Sequence, residues 1–259
     1  MDHFGRLFPF IFIIGLTGFF QSCDREKVDE DAQIRLGRKL FNDPKFDNVF
    51  GQTVSCATCH PGGDMDHKKW FLPPMSSDSV ATPTLFGVAE TSPYLWLGNG
   101  GNDLKEITRS VIDTILHGTA TEEELEALAA YQFSLVVPAN PWRNSDGSLT
   151  LQQEQGKQVF ENQGKCNVCH SGEAFTGKFK IEIKKLNPQV DVPSLRWIFA
   201  TAPYFRDHSA ATLRNVIDHY ADSVQTIQMT NWGWNTLGIY DIDLTEQEKA
   251  DLIEYLKTL

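Results

Sequence analysis

The sequence predicts a mainly α-helical chain made of two tandem domains, each built around the same short motif. The pentapeptide Cys-x-x-Cys-His occurs twice, at residues 56–60 and 166–170, so the two copies start 110 residues apart. Two further pairs of segments repeat at this offset, namely Thr82–Leu85 with Val192–Leu195 and Thr91–Tyr94 with Thr201–Tyr204. A constant offset over three landmarks indicates duplicated domains.

The repeated pentapeptide is the attachment signature of a c-type haem. Two cysteines separated by two residues reach the two vinyl groups on one edge of the porphyrin, and the adjacent histidine then lies under the iron. The residues predicted to hold two covalent haem c groups are Cys56, Cys59, Cys166 and Cys169, with His60 and His170 as proximal iron ligands.

The alternative is a zinc or thiol-redox Cys-x-x-Cys motif. Zinc ribbons pair their Cys-x-x-Cys units about 15–20 residues apart, much closer than the two units of this chain. Each unit here also carries an immediate histidine. Both features favour haem.

The first 22 residues predict an export signal that resembles the bacterial lipoprotein type. Arg6 precedes an apolar run from Leu7 to Phe20, which is too short for a comfortable membrane-spanning helix. Cys23 follows, and it is the only one of the five cysteines outside the two motifs. We therefore expect lipidation at Cys23, with an ordinary signal peptide as the alternative. The expected location is the periplasmic side of a bacterial membrane, lipid-anchored or soluble in the periplasm.

The acidic balance of the chain bears on its partners. A formal net charge of −11 argues against nucleic acid and suits docking to a small basic electron-carrier protein, a cytochrome or a cupredoxin. Simple solubility is the alternative explanation of the charge. Contact with a membrane is expected through the lipid anchor only.

The first domain is predicted to span residues 34–136, after a flexible, charged tether at 23–33. A helix with apolar residues at helical spacing ends at Asn42-Asp43-Pro44 and leads to the first motif. A second helix is expected over 104–116. A third begins at Thr121, a good N-cap residue followed by three glutamates, and runs to 135.

A linker at residues 137–149 joins the second domain, which is predicted to span 150–259. Helices are expected over 151–161 before the second motif, over 211–220, and from the N-cap Thr245 to 259. Because the terminal helices start 124 residues apart while the motifs are 110 apart, the second half holds about fourteen extra residues, placed most easily between Asp222 and Asp243.

These landmarks resemble a known family. The segments Leu36–Pro44, Ser55–His60 and Thr82–Leu85 resemble the first domain of bacterial di-haem cytochrome c peroxidases, and Val192–Arg196, Thr201–Phe205 and Ala211–Leu213 resemble the second. The same family includes MauG-like enzymes, which oxidise protein side chains. The resemblance implies two cytochrome c-like domains, with a peroxidatic haem in the first and an electron-accepting haem in the second.

The resemblance also implies roles for single residues. Trp96 matches a tryptophan that lies between the two haems and assists electron transfer. The family glutamate that assists peroxide cleavage falls at Leu116 here, so Glu106 and the cluster Glu122–Glu124 are the candidate substitutes. Thr201 and Pro203 match residues whose carbonyls bind calcium, but Ala81 stands where the family has asparagine, which leaves calcium open.

The function of each haem depends on the ligand opposite its proximal histidine. For the second haem, Met229 and Tyr220 are alternative distal ligands, the latter because MauG-like members use tyrosine there. For the first haem, His117 and His67 are alternatives, followed by Met65 and Met75.

The sequence thus predicts an exported di-haem c-type cytochrome that reduces hydrogen peroxide or oxidises a partner. The alternative is an electron-transfer protein without peroxidase activity.

Overall fold

The computed structural model describes residues 20–73, 78–183, 190–221, 225–229, 236–240 and 242–259. The predicted signal peptide lies outside these residues except at its end. Among the helices that are described, none is long and apolar enough to cross a membrane.

The first half of the chain is built from helices and a two-stranded antiparallel sheet in which Trp70 lies opposite Val80. Its elements are α1 (Phe20–Phe41), α2 (Cys56–Cys59), β1 (Lys69–Phe71), β2 (Ser79–Ala81), α3 (Leu104–Thr114) and α4 (Glu122–Phe133).

The second half repeats this plan and adds strands. Its elements are α5 (Leu151–Glu161), β3 (Lys180–Ile183), β4 (Val190–Asp191), α6 (Leu213–Ala221), β5 (Gln225–Met229), β6 (Thr236–Tyr240) and α7 (Glu246–Leu256). The strands form an antiparallel sheet in the order β4-β3-β5-β6, so β4 lies at one edge.

In each half, the helix before the motif crosses the last helix at a glycine. A Cβ atom on Gly37 of α1 would lie 1.9 Å from the carbonyl oxygen of Ala127 on α4, and one on Gly156 of α5 would lie 1.9 Å from that of Asp251 on α7. One turn later, an aromatic pair packs edge to face in each half, Phe41 with Tyr131 and Phe160 with Tyr255. The same type of helix crossing therefore occurs once in each half.

Each crossing supports an apolar core that reaches the motif of its own half. The core of the first half lies between α1, α3 and α4, includes the fully buried Leu125 and Leu128, and has Cys56 packed against it. The core of the second half lies between α5, α6 and α7 and has Cys166 packed against it. The cysteines thus lie beside apolar surface, as an apolar cofactor requires.

The two halves meet through a reciprocal pair of backbone hydrogen bonds. The N–H of Ala81 donates to the carbonyl of Arg206 at 2.7 Å, and the N–H of Asp191 donates to the carbonyl of Trp96 at 3.0 Å. Positions 81 and 191, and likewise 96 and 206, are separated by the repeat offset of 110 residues. We call these four residues the clasp.

Side chains reinforce this contact between the halves. Nδ1 of His67 lies 2.7 Å from the carbonyl oxygen of Ala202. The indole N–H of Trp197 donates to Asp64 at 3.1 Å, and Arg196 pairs with Glu90 at 3.4 Å.

The helix predictions are confirmed in detail. Thr121 and Thr245 are N-caps, each in a capping box with the glutamate three residues later. Helix α5 covers the predicted residues 151–161, and α1 ends at Phe41, as the following Asn-Asp-Pro predicts.

Two features differ from the predictions. The residues expected as a flexible tether belong to α1, because neither proline nor glycine interrupts the sequence between Phe20 and Leu36. The second difference is the four-stranded sheet, two strands of which, β5 and β6, lie within the segment where the extra residues were expected. Pairing of β3 with β5 joins residues far apart in sequence, which short-range patterns do not report.

Replacing Gly156 by alanine tests the crossing. Alanine normally stabilises a helix by about 1 kcal/mol relative to glycine. Here we expect the free energy of unfolding to fall by about 1–3 kcal/mol instead, because the added methyl group meets the backbone of α7. Denaturant unfolding measures the change. The control is Gln155→Ala at an exposed position of the same helix, and a stabilised Gly156→Ala variant would contradict the crossing.

Candidate haem sites

The first motif forms the short helix α2. The N–H of His60 donates to the carbonyl of Cys56 at 2.8 Å, which closes one helical turn. The backbone N–H of Ser55 donates to the hydroxyl of Thr58 at 2.9 Å and fixes the start of the helix. Cys56 and Cys59 therefore project from one turn, and both are free thiols.

Asp47 organises the loop that leads into this helix. Its side chain is fully buried, and its carboxylate accepts hydrogen bonds of 2.6–3.1 Å from the backbone N–H groups of Val49, Phe50, Thr53 and Val54. Burial acts to raise the pKa of Asp47, but the four hydrogen bonds outweigh it and hold the pKa below its usual value.

The ring of His60 is held neutral. Burial lowers its pKa to about 4, against the opposing effects of the Asp66 charge and the backbone of Pro83. Nδ1 of His60 is buried without a hydrogen-bond partner. A neutral imidazole is the form of histidine that binds metals.

The second motif repeats this geometry. A 3-10 turn spans Cys166–Val168, and the N–H of His170 donates to the carbonyl of Cys166 at 2.8 Å, the same distance as in the first motif. Nδ1 of His170 lies 3.1 Å from the carbonyl oxygen of Phe175. A proton on Nδ1 leaves Nε2 as the metal-binding atom. Burial lowers the pKa of His170, opposed by the backbone of Phe175 and Pro193.

The residues present fit a c-type haem in each half. In each motif the two thiols lie three residues apart on a single turn, beside an apolar core, with a partly buried histidine next to them. Burial raises the pKa of Cys56, Cys59 and Cys169 to about 11 and that of Cys166 to about 12. The surroundings of the four sulfur atoms are thus apolar, which disfavours a charged thiolate there.

Of the two predicted distal ligands in the second half, Tyr220 lies beside the motif. It packs in a cluster with Cys169 and Val192, and its ring centre lies 6.2 Å from that of Phe205. Burial raises the pKa of Tyr220 to about 12, with Cys169 and Cys166 acting in the same direction. Tyr220 therefore places a partly buried phenol at the second motif.

Met229 lies in β5, opposite Ile181 of β3, and its side chain is outside the described part of the chain. The similar strings at 114–117 and 226–229 differ in structure, because the first ends α3 and the second is a strand. The sequence likeness between His117 and Met229 therefore has no counterpart in the fold.

The candidate distal ligands of the first half are spread apart. His117 is exposed, and its carbonyl accepts a hydrogen bond from Asn48. His67 is also exposed and reaches the second half, where it bonds to Ala202. Met65 is buried, whereas Met75 lies outside the described residues.

The two predicted catalytic residues have different settings. Trp96 lies at the contact between the halves, and its indole N–H donates to the carbonyl of Ala81 at 2.7 Å. Glu106 is exposed and pairs with Arg109, which also binds Glu122. The structure therefore brings Trp96 to the junction of the halves and places Glu106 in a surface ion-pair network.

The predicted calcium position carries a direct contact between the halves. The carbonyl between Thr201 and Pro203 belongs to Ala202, which is bonded to His67. Within the described ranges, no group of three or more His, Cys, Asp and Glu side chains is arranged to hold a metal ion.

Sequence reasoning missed Asp47 and Asp191. Asp191 ends the edge strand β4, and its Oδ1 atom is buried without a hydrogen-bond partner. Burial raises the pKa of Asp191 to about 7. The available signal was a lone acidic residue between two valines, Val190 and Val192.

Comparison with known proteins finds similarity to cytochromes and haem peroxidases. Residues 153–259 match the family described as Cytochrome c. Over 252 residues, the chain is 24% identical to cytochrome c peroxidase Ccp of Escherichia coli, covering 74% of this chain and 54% of that protein. It is 22% identical to the methylamine utilization protein MauG of Methylophilus methylotrophus, covering 86% of this chain and 81% of that protein.

The chain is thus similar to bacterial di-haem cytochrome c peroxidases and MauG proteins. Among solved structures, hydrazine synthase of Kuenenia stuttgartiensis has a similar fold, with a TM-score of 0.69 at 22% identity and coverage of 88% of this chain and 87% of that one. The chain spans about half the length of the Escherichia coli peroxidase, 54%. The cytochrome c match and these relatives support haem c as a cofactor of this chain.

Replacing Asp47 by asparagine tests the loop before the first motif. Because the pKa of Asp47 is lower in the folded state, its carboxylate stabilises the fold above the unfolded pKa, and this contribution is lost as the pH falls through the folded pKa. We expect Asp47→Asn to unfold at lower temperature than the wild type at pH 7, with a difference that shrinks below about pH 4. Thermal unfolding across pH measures this.

The control is Asp113→Asn on the exposed face of α3. A difference between Asp47→Asn and the wild type that stays constant from pH 7 to acid pH would contradict the role of the carboxylate.

Proposed function

We propose that the chain is an exported di-haem c-type cytochrome that holds one haem covalently in each half. We further propose that it is a peroxidase-like oxidoreductase, reducing peroxide or oxidising a partner with electrons relayed between the halves. Similarity to di-haem cytochrome c peroxidases and MauG proteins supports this function. Bound haem would supply the redox-active iron.

The observation that carries the proposal is a difference between two equivalent helices. Helices α3 and α6 match at an offset of 109 residues, one fewer than the offset of the motifs, when their buried positions are aligned, Leu104 with Leu213 and Thr108 with Ile217. In this alignment Tyr220 corresponds to Val111. A tyrosine oxygen can bind haem iron, whereas a valine offers no ligand atom.

The difference between Tyr220 and Val111 suggests a different role for the site in each half. The partly buried phenol of Tyr220, which packs in clusters with Cys166 and Cys169, favours a closed second site that relays electrons. The aliphatic side chain of Val111 favours an open first site where peroxide binds. His60 and His170 then act as the proximal ligands.

The second candidate function is electron transfer without peroxidase activity. It is favoured by Leu116, a buried apolar residue at the place of the family's glutamate, and by the exposed ion pair of Glu106 with Arg109. Neither residue offers the first site a buried acid to move protons.

Partners and location are part of the proposal. The formal charge of −11 supports docking of a basic electron carrier, and Val168 within the second motif is an exposed apolar residue at which a partner could make contact. The apolar run ending before Cys23 supports export to the periplasm, with lipidation of Cys23 as the anchor.

Cysteine variants test the number of haems. We expect the double variant Cys56→Ala with Cys59→Ala, and separately Cys166→Ala with Cys169→Ala, to carry one covalent haem instead of two, because each pair supplies both thioether bonds. The haem content is measured from the mass of the denatured protein, which retains covalent haem, and from its absorption spectrum in alkaline pyridine. A wild-type chain without covalent haem would overturn the proposal in favour of zinc or thiol chemistry.

A further prediction concerns the second iron. Replacing Tyr220 by phenylalanine removes the candidate oxygen ligand, so we expect loss of the six-coordinate signal of one haem in optical and electron paramagnetic resonance spectra. The matched control is Tyr255→Phe, a buried tyrosine in the helix crossing. Met229→Leu separates the competing ligand, since only loss of the true ligand changes the spectrum.

The peroxidase function is tested by adding hydrogen peroxide to the reduced holoprotein. We expect oxidation of both haems and turnover with a reduced electron carrier. If both haems stay six-coordinate in every oxidation state and neither reacts with peroxide nor binds cyanide, the electron-transfer function replaces the peroxidase.

A further inference from the structure

A cavity of about 250 Å³ lies where the linker meets the second half of the chain. One of its walls is Phe175, the residue whose carbonyl oxygen lies 3.1 Å from Nδ1 of His170. The lining combines two arginines with apolar side chains and an exposed glutamate, and includes Arg143, Arg196, Pro138, Phe175 and Glu173. The cavity therefore offers both positive charge and apolar surface to a small molecule.

Arg196 has one hydrogen-bonding edge without a partner at this cavity. Its Nη1 atom lies 3.4 Å from the carboxylate of Glu90 in the first half, whereas Nε and Nη2 are buried and have no hydrogen-bond partner in the described part of the chain. These two atoms carry the parallel N–H groups of one side of the planar guanidinium. Buried donors of a charged group are costly to leave unpaired, so this edge is expected to bind an acceptor.

Contacts from the first half hold the guanidinium in place. Glu90 pairs with Nη1, and Gly87 packs so closely that a Cβ atom there would lie 2.7 Å from Nη2. The side chain of Arg196 is only 19% exposed. The free edge is thus oriented before any ligand binds, which lowers the entropic cost of binding.

The other polar groups of the lining restrict the ligand. Nε of Arg143 donates to the carbonyl of Thr258 at 2.7 Å, and the amide of Asn140 donates to the carbonyl of Lys257 at 2.9 Å. Arg143 therefore adds positive charge to a site whose free N–H pair comes from the other arginine. The exposed carboxylate of Glu173 disfavours a ligand with a second negative charge.

The first half has no equivalent of this edge. Position 86, which lies 110 residues before Arg196, is a phenylalanine. The ring of Phe86 packs edge to face with Trp197, with 5.9 Å between the ring centres. The feature therefore belongs to the second half alone.

We propose that the free edge of Arg196 is a carboxylate-binding site at this cavity. Two parallel N–H groups of a guanidinium match the two oxygens of a carboxylate, and the apolar lining suits the carbon body of a small organic monoacid. Two sources supply this chemistry, a free monoacid and a propionate of the haem proposed for the second half. Only the second source rests on the proposed function.

The first arm of the experiment adds benzoate to the holoprotein, with benzamide as a neutral probe of the same shape. We expect calorimetry to detect binding of benzoate and not of benzamide. Arg196→Gln should weaken benzoate binding at least about tenfold, because hydrogen bonds to a charged group are lost. If Arg196→Gln does not fold, Arg196→Lys keeps the charge without the parallel N–H pair and should weaken binding as well.

Two variants are matched controls for this arm. Arg35→Gln removes an exposed positive charge from α1. Glu90→Gln removes the ion pair between Arg196 and the first half and leaves the free edge. Both variants should bind benzoate no more weakly than the wild type does.

The second arm measures the midpoint potential of each haem against pH. A propionate paired with Arg196 has a lowered pKa, so the pH-dependent region of one haem potential should move to higher pH in Arg196→Gln and stay in place in Arg35→Gln. A chain without covalent haem rejects the proposed function, and the benzoate arm alone then decides the site.

The outcomes separate the two sources. Benzoate binding that needs Arg196 supports the free acid, and a displaced pH dependence without benzoate binding supports the propionate. The proposal is overturned if Arg196→Gln changes neither benzoate binding nor the pH dependence of the potentials. Equal weakening of benzoate binding by Glu90→Gln and Arg196→Gln also overturns it, because the effect then comes from the contact between the halves.

Discussion

The contact on which each half depends is the close approach of two helices at a glycine. A Cβ atom at Gly37 or Gly156 would lie 1.9 Å from a carbonyl oxygen of the opposing helix, a distance that no side chain accommodates. The approach lets the edge-to-face pairs of Phe41 with Tyr131 and Phe160 with Tyr255 form one turn later. With the two helices held together, the loop carrying the motif packs against the core, and the histidine at the end of the motif is partly buried.

Much of this architecture can be read from the sequence because its signals are local. The motif spacing, the N-cap threonines with glutamate three residues on, and the proline after α1 each act within one or two helical turns. The duplication is equally visible because both copies kept their landmarks at one offset. These signals locate the helices, the cysteines and the proximal histidines.

The parts that sequence reasoning missed depend on contacts between distant residues. The pairing of β3 with β5 and the clasp join segments that share no short-range pattern. Asp47 resembles any polar loop residue until its four backbone donors are seen, and Asp191 resembles an ordinary strand residue until its position beside Trp96 is known. The distal side of each proposed haem site is harder still to predict, because in the proposal a single helix residue, Tyr220 or Val111, determines whether a ligand atom is available there.

The hydrogen bonds of the clasp show how the two duplicated halves are related in space. Reciprocal bonds between equivalent positions, residue 81 of one copy to residue 96 of the other and the reverse, are the pattern of an isologous two-fold dimer. In this protein the two halves are joined by the segment 137–149, so their association is intramolecular and independent of protein concentration. Because the two halves are encoded in one chain, their sequences can differ at equivalent positions. The first half carries tryptophan where the second carries arginine, and valine where the second carries tyrosine, so two halves of the same fold can have different functions.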